Sequence, residues 1–192
     1  MLAKKKALNS IRQARKFISQ GHFEEAEELL WEAISVLEKA KDLTGMREAF
    51  GILEELQKSR GWEENLFEVY RKWIQRDPEN PEVLRALSRF YVRKKDCSPL
   101  AIKIYEKTLT FHPDEAVVLT GYAECLIRSG KRDEETLKVI QRATEVDKLW
   151  IRGLKYLAEI YRSDPKYARQ EEEVNKRLHA LGALDAEGIV RL

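Results

Sequence analysis

A fixed offset of 35 residues brings the same residue types into line three times along this chain. Leu84, Leu119 and Leu154 align, as do Leu87, Tyr122 and Leu157; Ser88, Ala123 and Ala158; and Tyr91, Leu126 and Tyr161. A step of 34 back from Leu84 and Leu87 reaches Phe50 and Leu53, while Tyr105 and Pro113 step back by 35 to Tyr70 and Pro78. The register therefore extends to about residue 47. Self-similarity at this period means repeated supersecondary units, each too small to bury its own apolar face and each dependent on its neighbour. Within the units apolar residues recur at steps of three and four, which predicts helix almost everywhere. Gly21, Gly61 and Gly130 follow helical stretches that a left-handed residue can end, and Pro78, Pro81 and Pro113 mark further breaks.

These columns have the spacing of the tetratricopeptide repeat, with its large-x-x-large-small-x-x-aromatic first helix, Ala-x-x-x-aromatic second helix and closing proline. The chain resembles that family over about residues 7 to 181. The clearest copy runs from Pro81 to Pro113, with Leu84, Leu87, Ser88 and Tyr91, then Ala101, Tyr105 and Thr108, and a loop expected to be one residue long. The copy before it keeps Phe50, Leu53, Tyr70, Trp73 and Pro78 but has Glu54 and Gln57 where a small residue and an aromatic are expected. The first copy is read from Ala14 and Phe17, then Phe23, Ala26, Leu30 and Ala33. Gly21 to Gly61 is 40 residues, six more than the usual 34, so an extended second helix or an extended linker near Lys41 to Met46 is expected. The fourth copy has Lys148 in place of proline, and the fifth ends in a charged helix carrying Val174 and Leu178 that reads as a cap.

The resemblance implies an all-α fold: a right-handed superhelical solenoid of antiparallel helix pairs. A single domain over 1–192 is expected, with repeats at about 7–40, 47–80, 81–115, 116–150 and 151–182 and a C-terminal tail at 183–192. The small residues of the columns let helix backbones approach and the large ones fill the space between them, so both sets read as packing residues.

Chemistry-bearing motifs are scarce. His22, His112 and His179 have no metal-ligand spacing, and Gly130-Lys131 lacks the glycine that a phosphate-cradling loop requires. Glu134 with Glu135, and the run from Glu171 to Glu173, lie among Lys and Arg and read as solvated helix faces rather than as acid and base. No catalytic residue, cofactor or metal is expected, and the chain is read as a non-enzyme. Cys97 and Cys125 are too few for a disulfide framework and read as reduced thiols. No run approaches the roughly 18 apolar residues of a membrane helix, and the first residues have no secretory pattern, so a cytoplasmic location is expected. A net charge of +2 gives no overall pull toward nucleic acid or an anionic membrane.

The expected function is that of a non-catalytic adaptor that binds another protein. In the family, first helices line a concave groove for peptides or partner helices. Here the resemblance places Glu48, Gly51, Glu55, Arg85, Arg89, Thr120, Glu124, Arg152, Lys155, Tyr156 and Glu159 along it. The Lys and Asn clamp with which some members hold a C-terminal carboxylate is missing. An acidic segment held by Arg85, Arg89, Arg152, Lys155 and Tyr156 is the expected partner. A second surface is the N-terminal hairpin, where Lys4, Lys5, Lys6, Arg12, Arg15 and Lys16 face an acidic second arm. The plain reading is that the two arms neutralise each other. Ile11 and Ile18 on the first arm, with Trp31, offer self-association into a homo-oligomer. The alternatives are a nucleic-acid-associated helical repeat, for which the segment Ala101 to Glu106 also resembles the half-repeat family of RNA-processing complexes, and the repeat domain of a larger enzyme or assembly.

Overall fold

A computed structural model describes residues 2–183; the tail expected at 183–192 lies, beyond Ala183, outside the described residues. Ten α-helices follow one another among the described residues: α1 (Leu2–Ser19), α2 (Phe23–Lys39), α3 (Leu43–Arg60), α4 (Glu63–Arg76), α5 (Pro81–Arg93), α6 (Pro99–Phe111), α7 (Ala116–Arg128), α8 (Glu134–Val146), α9 (Ile151–Arg162) and α10 (Ala168–Ala180). A single 3-10 turn, Pro165–Tyr167, precedes α10. No strand occurs among the described residues.

The helix ends follow the local chemistry. Gly21, Gly61 and Gly130 all take positive φ, as expected. At Gly61 (φ 66°) the backbone N–H turns back to the carbonyls of Gln57 and Lys58, closing α3 in a conformation that a β-carbon disfavours. Asp42, Ser98 and Asp133 cap α3, α6 and α8, their side chains accepting from the backbone N–H groups of Gly45, Ala101 and Thr136. The connection inside the clearest copy is five residues, 94–98, and not one. Lys95, left-handed at φ 53°, ends α5, and the Ser98 cap with Pro99 in the first turn delays α6.

Contacts divide the chain into two compact units, residues 1–87 and 88–192. In the first, α1 packs on α2, α2 on α3 and α3 on α4. The six extra residues between Gly21 and Gly61 are not a linker. The α2–α3 connection is only Ala40 to Asp42, and the surplus lengthens the helices themselves, to 17 residues in α2 and 18 in α3. Phe50 stacks on Trp73 at 5.1 Å between ring centres and meets Trp31 edge-to-face at 5.8 Å.

The two unusual residues of α3 have polar partners. Gln57 is fully buried and donates to Glu27 (3.1 Å), and Glu54 accepts from the Tyr70 hydroxyl (2.8 Å). Arg47 grips the buried Asp77 with two hydrogen bonds (2.6 and 3.0 Å). Asn80 donates to the same carboxylate and accepts from the N–H of Val83 in α5. Burial pushes the Asp77 carboxyl up, but the hydrogen bonds from Arg47 and Asn80 and the Arg47 charge overcome it and hold the group below the usual carboxylate value.

Against the expected mutual neutralisation, no ion pair joins the two hairpin arms among the described residues. Lys4 and Arg15 of α1 pair with Asp42 and Glu48 beyond α2, while Glu24 and Glu38 of α2 pair with Arg60 and Arg76. Ile11, read as a self-association residue, fills the core with Ala7 and Ala14 at 1% exposure, because that stripe faces the helix α1 packs on. Ile18 and Trp31 are half-buried. The indole N–H of Trp31 donates to Glu27, and Lys72 lies over its ring.

In the second unit α6 packs on α7, α7 on α8, α8 on α9 and α9 on α10. All twelve residues of the aligned columns are buried across the two units. Ser88 and Thr108 hold hydroxyls 2.7 Å apart in this core, and Thr108 returns its bond to the Ile104 carbonyl, so the polar pair is satisfied without water. Val174 and Leu178, the apolar face of the charged last helix, close the cluster around Leu157 and Tyr161.

Candidate functional site

Within the second unit, α7 and α9 each present a polar stripe at helical spacing: Thr120, Glu124 and Arg128 on one, Arg152, Lys155, Tyr156 and Glu159 on the other. Two clefts lie on these stripes. One, of about 330 Å³, is lined by Val92, Lys95, Thr120, Gly121, Glu124 and Arg128, with Trp150 and Arg152 from the α9 end and with Cys97 and Cys125. The other, also about 330 Å³, lies among Ile127, Arg152, Lys155, Tyr156, Glu159 and Arg162. Arg152 belongs to both. Together they carry five basic side chains (Lys95, Arg128, Arg152, Lys155, Arg162) against three acidic ones (Glu124, Asp147, Glu159).

Two glycines shape this face. A β-carbon at Gly121 would overlap Val92 Cγ2, so the missing side chain is what lets α7 come up against the last turn of α5. A β-carbon at Gly153 would overlap the indole of Trp150, which leads into α9.

The residues singled out from the sequence fare differently. Arg152, Lys155 and Tyr156 lie together along α9 and line the second cleft. Arg152 pairs with Glu124 at 2.6 Å. The Tyr156 hydroxyl donates to the Lys131 carbonyl (2.8 Å), and burial raises its pKa further from neutrality, so it stays a donor. Arg89 lies in the same unit and makes a forked contact to Glu115 at the start of α7 (3.0 and 2.6 Å). Arg85 belongs to the first unit and pairs with Glu82 at 2.6 Å. Neither lines the two clefts. Lys95 and Arg128 do, and neither has an ion-pair partner among the described residues. Family register points to first-helix positions in mid-helix, so it passed over a loop lysine and a last-turn arginine.

The cysteines are a correction to the sequence reading. Cys97, in the 94–98 loop, and Cys125, in α7, form a disulfide with Cα atoms 5.3 Å apart, so no reduced thiol is present. The repeat register hid this, because it aligned helices and gave the loop no place. The three histidines stand apart: His22 precedes α2 with its Nδ1 3.3 Å from the Glu25 carboxylate, His112 caps the end of α6, and His179 lies in α10. No cluster of three metal-ligating side chains occurs among the described residues, and none of their helices is long and apolar enough to cross a membrane.

Paired helices of this length, joined by short turns and packed through small-residue columns, are those of tetratricopeptide-repeat proteins, and comparison with solved structures shows the same fold. MamA AMB-1 superposes with a TM-score of 0.55 at 16% identity, covering 95% of this chain and 95% of that one. YrrB, a TPR protein with an unusual peptide-binding site, gives 0.52 at 14% identity, over 90% of this chain and 84% of its own. MamA MSR-1 gives 0.51 at 18% identity, over 92% and 97%. No family model matches the sequence, and no curated protein matches it. At these identities the likeness is one of fold.

Proposed function

We propose that this chain is a non-catalytic protein-binding module that holds an acidic segment of its partner across α7 and α9 of the second unit. The observation that carries the reading is the pair of clefts sharing Arg152, with their excess of basic side chains. YrrB, similar in fold, is a TPR protein with a peptide-binding site, which supports the same use of the fold here.

An incoming carboxylate meets Lys95 and Arg128 without first displacing an internal partner. Arg152 then exchanges Glu124 for the peptide or bridges both. Lys155 and the ring of Tyr156 continue the track. Such charge-assisted contacts are short and directional, whereas contacts at the exposed rim are weakened by salt. Arg89 and Arg85, expected as part of the site, are assigned here to their contacts with Glu115 and Glu82. The cytoplasmic placement expected from the sequence is retained in this proposal, with a disulfide that cycles, since cytosolic disulfides are commonly transient and redox-sensing.

The test is fluorescence anisotropy with labelled 12-residue acidic peptides against the full chain and its Arg152→Glu, Lys155→Glu double variant. Saturable binding that the double reversal removes supports the proposal. Equal binding by both proteins, or no binding across a set of acidic sequences, refutes it.

A further inference from the structure

We infer that the Cys97–Cys125 disulfide is a redox latch on this cleft: closed, it holds the 94–98 loop against α7 and keeps Lys95 on the binding face; opened by a dithiol reductant, it releases the loop and weakens capture of the acidic segment. This deepens the docking reading and rests on it for its second half.

The bond joins two successive helix pairs, running from the loop that ends the first helix of one pair to the first helix of the next. The loop's other polar tethers run mainly to the two helices it joins: on the α5 side the N–H groups of Lys95 and Asp96 donate to the carbonyls of Val92 and Tyr91 (both 3.0 Å), and only the Asp96 carbonyl, 3.6 Å from Cys125 Sγ, also touches α7. Ser98 N–H donates to the Asp96 carboxylate (2.7 Å), Ala101 N–H to the Ser98 hydroxyl (3.3 Å), and the Tyr105 hydroxyl to the Asp96 carbonyl (3.0 Å). Reduction therefore removes the covalent tie to α7 and leaves the loop attached to α5 and α6, with the Asp96 carbonyl beside Cys125 as its one remaining polar contact with α7. Lys95, already in a left-handed conformation that a non-glycine residue adopts at a cost, is two residues from Cys97. Its backbone N–H is held by the Val92 carbonyl of α5 (3.0 Å), so the freedom gained on reduction reaches it through the Asp96–Cys97 side of the loop.

The bond is also placed to be opened. Both cysteines line the cleft, so a reductant reaches the sulfurs through the opening a partner would use. Cys125 is 4% exposed and Cys97 half-buried, which directs attack to the Cys97 sulfur. The thiolate of an external dithiol forms a bond to Cys97 Sγ as the Sγ–Sγ bond breaks and Cys125 leaves as thiolate. The reductant's second thiol then displaces Cys97 and becomes the reductant's own disulfide. Two electrons and two protons pass to the chain, giving two cysteine thiols. Lys95 and Arg128 on the same cleft stabilise the departing thiolate. Occupancy by a partner covers the sulfurs, so binding and reduction oppose each other.

The experiment compares the full chain in oxidised glutathione and in dithiothreitol, with a Cys97→Ser, Cys125→Ser variant in both buffers. Amide exchange at 94–98 is expected to rise on reduction while α7 and α9 stay protected, and alkylation to modify Cys97 before Cys125. Affinity for the acidic peptide is expected to fall about tenfold, the size of one charged contact, and the variant to behave as reduced throughout. Two free thiols in the oxidising buffer, unchanged exchange at 94–98, or loss of protection across α7 and α9 overturns the latch. A peptide that binds neither state counts against the docking reading, while exchange and alkylation still decide the latch.

Discussion

The indole of Trp150 lies so close to Gly153 that a β-carbon at 153 would overlap ring carbons Cε3 and Cζ3. Gly51, in the middle of α3, has nothing within 4 Å of the same position. The two helical glycines should therefore respond to alanine with opposite signs. Gly51→Ala is expected to stabilise by about 1 kcal/mol through helix propensity. Gly153→Ala gains the same term but forces Trp150 aside, and overpacking of roughly 1 to 3 kcal/mol outweighs it. Urea unfolding of both variants measures the difference, and equal shifts would contradict the packing at Trp150.

Leu157 is 2% exposed at the centre of the second unit's core. Leu157→Ala should cost about 2 to 5 kcal/mol, because the site loses its methyl groups and the close-packed neighbours cannot fully collapse. A melting temperature that does not move would count against the 35-residue register, since Leu157 shares its column with Leu87 and Tyr122.

Asp77 makes acid stability a local question. Its pKa is depressed in the folded chain, so it stabilises the fold fully above the unfolded carboxylate value near 3.9, and the contribution disappears as pH falls through the lower folded value. Asp77→Asn removes the charge that Arg47 holds and should cost about 1 to 3 kcal/mol at neutral pH. The variant's stability should then fall less steeply with acid than the parent's. Parallel acid profiles would assign the Arg47 contact no role in the folded state.

Lys95 sets stability against binding. Glycine is the residue that φ 53° favours, so Lys95→Gly should raise stability by up to about 1 to 2 kcal/mol. The same change removes a cleft cation and should weaken the acidic peptide. Calorimetric melting and anisotropy on one preparation check both directions. A destabilised variant, or one with unaltered affinity, would separate Lys95 from the role given to it.

The fold was legible because it rests on columns. Leu84, Leu119 and Leu154 share an environment, and one environment repeated every 35 residues leaves a trace that no single helix would. Where a column was broken the sequence was ambiguous. Glu54 and Gln57 look like defects until Tyr70 and Glu27 are seen to hydrogen-bond them, and those partners come from neighbouring helices. The candidate site was half legible for the same reason. Arg152, Lys155 and Tyr156 follow from helical spacing on α9, whereas Lys95, Arg128 and the disulfide depend on where a five-residue loop lies in space. Ile11 misled because an apolar stripe out of register looks like a spare surface, although burial against the next helix explains it equally well.

The longer helices of the first unit bear on how the chain can be re-engineered or recombined. At 18 residues against 13 in α7, α3 is about 7 Å longer, well over one turn. A copy spliced from residues 116–146 into the place of α3 and α4 would remove the buried Met46 and leave uncovered the part of α2 against which the longer α3 packs. Modular exchange is therefore open among the 13-residue pairs and closed at α3, which makes the front of the chain a fixed end from which shorter units can be counted out.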